Sequence, residues 1–373
     1  MNPRADADPP AARWPVPGLP LWSIAVPVLA LLTLASTWGQ PLGIGLGALL
    51  AAALLLAVLC AIHHAEVVAH RVGEPYGTLV LAVAVTIIEV ALIVSLMLAG
   101  GASANTLARD TVFSAVMIVC NGVIGLCLVV GGLRHGVLVF RVEGTSPALA
   151  SLGALAGLAL VLPSFTTTTS GPTYSGSQLA FAGFTSLALY SVFVFVQTVR
   201  HRDYFLPPRN AADEDVHAAP PTNAMASASF GLLLVALVAV VGLAKQLSPM
   251  IEAAVAAAGA PKPVIGIAIA LLVLLPETWA AVRAALSNRL QTSMNLALGS
   301  ALASIGLTIP AVVVTATVLD LPLVLGLPPK DLVLLALAFL VGAITLGTGR
   351  TNMMQGAVHL VLFAAFLFLS LVP

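Results

Sequence analysis

Polar and apolar positions segregate into long blocks along this chain, with no period-two alternation of the kind a membrane β-barrel would show. Apolar runs of about 20 residues are the length needed to cross a bilayer as helix. Eleven such runs occur, at roughly 20–38, 42–62, 77–99, 111–133, 147–163, 178–199, 227–247, 263–283, 292–318, 331–348 and 353–372. The fifth is short and the ninth long. The pattern predicts an all-α polytopic membrane protein with about eleven transmembrane helices. Polar, proline-rich residues 1–18 read as a tail ahead of the first helix rather than a cleavable leader. The long polar interruption at 200–227 holds Asp213, Glu214 and Asp215 and reads as a solvated linker.

Composition agrees: 60% of residues are hydrophobic, only 8% are charged, and the formal net charge is zero. A soluble domain carries about a quarter charged residues. Neutrality also leaves no basic surface for nucleic acid. Cys60, Cys120 and Cys127 all lie in apolar runs and suggest no disulfide framework. Basic residues test the span count, because cytoplasmic loops concentrate Lys and Arg. Eleven spans put Arg4, Arg13, Arg71, Arg134, Arg141, Arg200, Arg202, Arg209, Arg283, Arg289 and Arg350 on the N-terminal side. Arg109, Lys245, Lys262 and Lys330 fall on the other, eleven against four. This predicts an inner-membrane protein with a cytoplasmic N-terminus and linker and a periplasmic C-terminus.

With the first span set aside, five precede the linker and five follow it. An odd number per half inserts the halves in opposite orientations, the hallmark of an inverted repeat. The expected organisation is 1–40 tail and extra helix, 41–199 first repeat, 200–226 linker and 227–373 second repeat. In "GTLVLAVAVTIIEVALI" Glu89 lies twelve residues past Gly77, and in "GIAIALLVLLPETWAAV" Glu277 lies eleven past Gly266. The next spans align without a gap, Thr111 on Thr292 and Gly125 on Gly306, and both are rich in small and polar residues. Small residues serve helix packing alone; two carboxylates at matching depth do not. A charge at the bilayer centre costs about 2.5–3.5 kcal/mol on insertion scales and marks a functional position.

Pro276 is expected to interrupt its helix beside Glu277 and free carbonyl oxygens. Carboxylates, carbonyls and the oxygens of Thr86, Asn121, Ser300 and Ser304 would together suit a hard cation such as Ca²⁺, and Na⁺ or K⁺ equally. Oxygen-only ligation disfavours zinc and copper. Low dielectric disfavours the charged form of a carboxyl group, so proton and cation compete for such a site. That competition is the minimal requirement of an antiporter. A passive channel could use the same glutamates. Neither a P-loop nor a hydrolase signature is found, so no enzyme activity, cofactor or ATP coupling is expected.

The runs "HAEVVAHRVGEPYGTLVLAVAVTIIEV", "RDTVFSAVMIV", "NLALGSALASIGLTIP" and "GTGRTNMMQGAVHLVLFAA" closely resemble bacterial calcium/proton antiporters of the ChaA type. These belong to the proton-exchanger branch of the calcium/cation antiporter superfamily. The resemblance starts near residue 40 and implies ten core helices in two inverted repeats, with Glu89 and Glu277 binding the cation. It implies Ca²⁺ and H⁺, and also Na⁺ or K⁺, as transported partners. Many members carry Gly-Asn four and three residues before the repeat glutamate. Val85–Thr86 and Val273–Leu274 stand there in this chain.

His63, Glu66 and His70 share a helical face and read as a proton-accessible mouth or interfacial residues rather than a metal site. Glu74 reads as a charge near a helix start, His359 as a packing histidine, and Arg283 as reaching for the interface. Trp14, Trp22 and Trp38 read as interfacial anchors.

Overall fold

The computed structural model describes residues 18–73, 76–99, 105–206, 221–259, 261 and 263–372. The readings placed on the tail at 1–17, on Trp14, Glu74, Asp213, Glu214 and Asp215, and the sidedness of Arg4, Arg13, Arg209 and Lys262, lie outside them. The described residues form eleven helical rods. The first six are α1 (Leu21–Thr37), α2 (Ile44–Val72), α3 (Tyr76–Ala99), α4 (Leu107–His135), α5 (Val142–Ser164) and α6 (Gly176–Arg200). The other five are α7 (Asn223–Ala257), α8 (Pro263–Leu286), α9 (Leu290–Val318), α10 (Pro329–Leu346) and α11 (Met353–Leu371). The all-α reading and the count of eleven helices hold; among the described residues nine of them are long and apolar enough to cross a membrane, while α1 and the described apolar stretch of α3 are shorter.

Helix boundaries follow local chemistry. Ser175 and Gln178 close a capping box at the start of α6, and Asn352 and Gln355 do the same for α11. Gly73, at φ 74°, terminates α2 after His70 and Arg71. Hydropathy alone ends the second span at 62, yet α2 runs ten residues further. Its polar continuation still has helical spacing, so its 29 residues span ~43 Å, more than a ~30 Å hydrocarbon core.

Two departures concern local geometry. α8 is continuous from Pro263 to Leu286 through Pro276, which costs only the hydrogen bond to the Leu272 carbonyl. Two two-residue strands, β1 (Leu138–Val139) and β2 (Arg350–Thr351), pair antiparallel as Leu138 with Thr351 and Val139 with Arg350. They join the α4–α5 turn to the α10–α11 turn.

Loop contacts sort the helix ends into two sets. At one end Arg71 Nε donates to Asn223 Oδ1 at 2.7 Å, His135 Nε2 meets the Leu286 carbonyl at 2.9 Å, and Arg141 donates to the Asp203 carbonyl at 2.7 Å. At the other, Val324 N–H donates to the Asn105 carbonyl at 2.9 Å, Arg109 to that of Gly326 at 3.2 Å, and Lys330 to that of Leu369 at 3.1 Å. Eleven alternating rods produce this division. Arg71, Arg134, Arg141, Arg200, Arg202, Arg283, Arg289 and Arg350 belong to the first end; Arg109, Lys245 and Lys330 belong to the second.

α4 and α9 form the centre, with 89% and 61% of their most apolar stretches buried. α4 packs on α8 and α11, while α9 packs on α3 and α6. Backbones nearly touch along the α4–α11 seam. A β-carbon on Gly132 would lie 2.7 Å from the Met353 nitrogen, and one on Gly356 would lie 2.7 Å from the Val129 nitrogen. α1 lies across α2 and α7.

Candidate cation-binding site

Glu89 is one of the most deeply enclosed charged side chains among the described residues, with 2% exposure. α3 carries it into the α9 face where Gly299, Ser300, Ala303 and Ser304 leave room. Ser304 Oγ lies 2.8 Å from Glu89 Oε1 and 2.9 Å from Oε2, and Thr308 Oγ1 donates to Oε2 at 3.1 Å. Charge-assisted bonds of this kind contribute ~1.5–3 kcal/mol, enough to fix the carboxylate's orientation.

Glu277 enters the same cavity from α8. One oxygen, Oε2, is buried with no hydrogen-bond partner among the described residues. Thr86, one turn before Glu89, also presents a buried hydroxyl with no partner among the described residues. The space they share is about 120 Å³, room for several waters or one partly hydrated ion. Ser300 and Ser304 line it with them. Asn295, Gln197 and Thr198 extend the lining toward the helix ends that hold Arg200 and Arg289.

Five of the six residues singled out from the sequence, Glu89, Glu277, Thr86, Ser300 and Ser304, therefore meet at one cavity. Asn121 does not join them. It sits in a π-helical turn of α4, Ile118–Val123, and faces away. Its Oδ1 lies 3.3 Å from His359 Nδ1, whose Nε2 lies 3.1 Å from Thr345 Oγ1. His359 is thus a fully buried, hydrogen-bonded residue of the α11 packing face, as its sequence setting suggested. Among the described residues no cluster of three His, Cys, Asp or Glu side chains has metal-binding geometry, at His63, Glu66 and His70 or elsewhere.

Thr308 was not singled out, although Ser300, Ser304 and Thr308 recur every fourth residue and so share a helical face. Its role also reveals an inequality between the two carboxylates. In the gapless register of the two spans, Ser304 matches Val123 and Thr308 matches Cys127. The hydroxyl pair that holds Glu89 has no counterpart for Glu277.

The arrangement can hold a cation on oxygen ligands of which two, Glu277 Oε2 and Thr86 Oγ1, lack any partner among the described residues. Comparison with known proteins points the same way. The model of the family "Sodium/calcium exchanger protein" matches residues 42–199 and 228–372. The protein y4hA of Sinorhizobium fredii is 52% identical over 360 residues, covering 95% of this chain and 97% of that one. The sodium-potassium/proton antiporter ChaA of Escherichia coli is 36% identical over 351 residues, covering 92% and 94%. Among solved structures, native YfkE superposes with a TM-score of 0.70 at 18% identity, over 95% of this chain and 99% of that one. The H⁺/Ca²⁺ exchanger CAX gives 0.68 at 15% identity, over 93% and 86%, so both share the fold. The eleven-rod fold, the paired matches on either side of the linker and the ChaA likeness agree: the chain is a multi-pass membrane protein of the sodium/calcium exchanger family.

Proposed function

We propose that this protein is a secondary antiporter that exchanges Ca²⁺, or Na⁺ or K⁺, for protons, with Glu89 and Glu277 alternately holding cation and proton. The observation that carries the reading is the shared cavity, in which two carboxylates from different helices converge with partnerless oxygens. Low dielectric makes a bare carboxylate costly, so each carboxylate is neutralised by a proton or by the cation. Exchange follows from that exclusion. The family match and the likeness to a named proton antiporter support it.

The same reading takes 41–199 and 227–373 as two inverted five-helix repeats. The reciprocal packing of α4 on α8 and of α9 on α3 supports it, as do the matched glutamates. The arginine-rich end of the bundle is cytoplasmic by the positive-inside rule. The cavity, lined toward that end by Gln197, Thr198 and Asn295, then opens inward. The acidic linker modulates transport from the cytoplasm without being part of the path.

The test is flux through purified protein in liposomes that hold a proton gradient. Adding Ca²⁺, Na⁺ or K⁺ outside should dissipate the gradient for the transported ions and leave it for the others. Cation entry that proceeds equally with no proton movement would instead identify a passive channel.

A further inference from the structure

The last turn of α6, Val196–Arg200, is π-helical and brings Gln197 and Thr198 to the rim of the cation cavity. Such a turn is rare and recurs at functional positions. Beyond it the first residues of the linker fold against the bundle. Arg202–Tyr204 form a single 3₁₀ turn, and the His201 and Tyr204 rings stack with centroids 4.8 Å apart. Phe205 is buried, edge-on to Phe193 at 6.0 Å, and Phe193 itself lines the cavity.

Polar contacts fasten this segment to α5 and α9. Asn295 Nδ2 donates to the Phe205 carbonyl, and Arg141 donates to that of Asp203 at 2.7 Å. A β-carbon on Gly144 would lie 2.5 Å from the Tyr204 carbonyl oxygen, so the start of α5 lies directly against the segment. Behind Asn295 stands Gln291, buried, whose Nε2 donates to Asn295 Oδ1 at 2.9 Å. Gln291 Oε1 in turn accepts the Arg141 backbone N–H at 2.7 Å. Both ends of this relay are backbone groups, an N–H that only donates and a C=O that only accepts, so each amide has one possible orientation. Asn295 lines the cavity and Gln291 does not. The Asn295 amide is engaged at both its ends by protein partners, and its task at the mouth is to hold.

We propose that Arg202–Phe205 is a latch on the mouth of the cation cavity, fastened through Asn295, which favours the state open to the cytoplasm. The proposal rests on the antiport reading above, which makes this end cytoplasmic and requires the mouth to close in every cycle. The latch joins the end of α6 to α9, the two helices that supply Gln197, Thr198 and Asn295 to the rim. While it is fastened, the width of the rim is fixed. A contact made in one state and broken in the other biases the equilibrium toward the first. Asn295 and Gln291 are positioning residues, acting on the mouth through Phe205.

The test is a thiol reporter at the rim, Thr198→Cys in a background without Cys60, Cys120 and Cys127. The replacement is mild, because the Thr198 hydroxyl serves its own helix by donating to the Val194 carbonyl at 2.7 Å. Its reaction with an impermeant thiol reagent is timed in inside-out vesicles. Adding Asn295→Leu or Phe205→Ala should slow the reaction about two- to tenfold, the range of one neutral hydrogen bond. The double variant should slow it by less than the product of the two, because both undo one latch. Gln291→Met, which leaves every cavity-lining residue in place, should also slow it, while Phe205→Leu stays near the parent rate. A mouth that is merely loosened does the reverse and reacts faster. Unchanged or faster labelling, in variants that elute as folded protein, overturns the latch. Should Asn295→Leu fail to fold, Phe205→Ala and Gln291→Met carry the test. Failure of the antiport reading shows differently, as a parent reporter that reacts only in right-side-out vesicles or as Glu277→Gln retaining proton-coupled uptake.

Discussion

Thr308→Val removes one hydroxyl and nearly preserves shape. In the structure Thr308 Oγ1 donates to Glu89 Oε2 at 3.1 Å, and among the described residues that oxygen is otherwise served only by Ser304 Oγ at 2.9 Å. The Ser304 hydroxyl has a single proton, spread between two carboxylate oxygens at 2.8 and 2.9 Å. It cannot replace the lost donor. A hydrogen bond to a buried charge contributes about 1.5–3 kcal/mol, and 1.4 kcal/mol is a factor of about ten. The ionised, cation-binding form of Glu89 should therefore be disfavoured by roughly ten- to a hundredfold relative to the protonated form. Apparent cation affinity at fixed pH should fall by that factor. The maximal rate should change less. The assay is the cation concentration giving half-maximal proton flux in liposomes. Thr308→Ser should recover near wild-type affinity, and Cys127→Val, at the matching position of the other span, should leave affinity unchanged. An unchanged half-saturating concentration in Thr308→Val would refute the anchoring argument, and so would Thr308→Ser behaving like Thr308→Val.

Glu89→Gln and Glu277→Gln should each insert and fold, because removing an intramembrane charge lowers the insertion cost, and each should abolish cation-dependent proton flux; Glu89→Asp should keep a weaker, partial activity. Near wild-type exchange in either glutamine variant would make that residue structural. Single cysteines at Asp213 and Pro373, in a background without Cys60, Cys120 and Cys127, should react with an impermeant thiol reagent from opposite sides; labelling of both from one side would overturn the orientation. Gly266→Leu should destabilise the protein by about 1–3 kcal/mol or more, read as a lower melting temperature in detergent, since even a β-carbon there would lie 2.8 Å from the Asp110 backbone. An unchanged melting temperature would mean that the α4–α8 contact has slack.

The helices and the two glutamates were legible because a lone carboxylate in an aliphatic run contrasts with everything around it. Asn121 was misleading for a physical reason. α4 is buried on nearly all sides, so its sequence carries no inside–outside period to show which face meets the cavity. The π-helical turn at Ile118–Val123 then shifts the phase of the residues beyond it. Thr86, Ser300 and Ser304 could be placed because each lies on the face of a landmark already fixed by Glu89 or by the small-residue stripe of α9. Thr308 followed the same spacing and needed only one more turn of the helix. The length of α2 past residue 62 escaped hydropathy because polarity, not loss of helical period, ends the apolar run there.

The glycine seam between α4 and α11 bears on how the protein can change shape. With backbone atoms already at the closest approach that glycine allows along Gly132 and Gly356, neither helix can slide past the other without opening a gap that close-packed neighbours would have to fill. The pair is a welded joint rather than a bearing. Any rearrangement that exposes the carboxylates to the opposite face must carry both rods together, and the slippage has to occur elsewhere, where side chains rather than main chains are in contact.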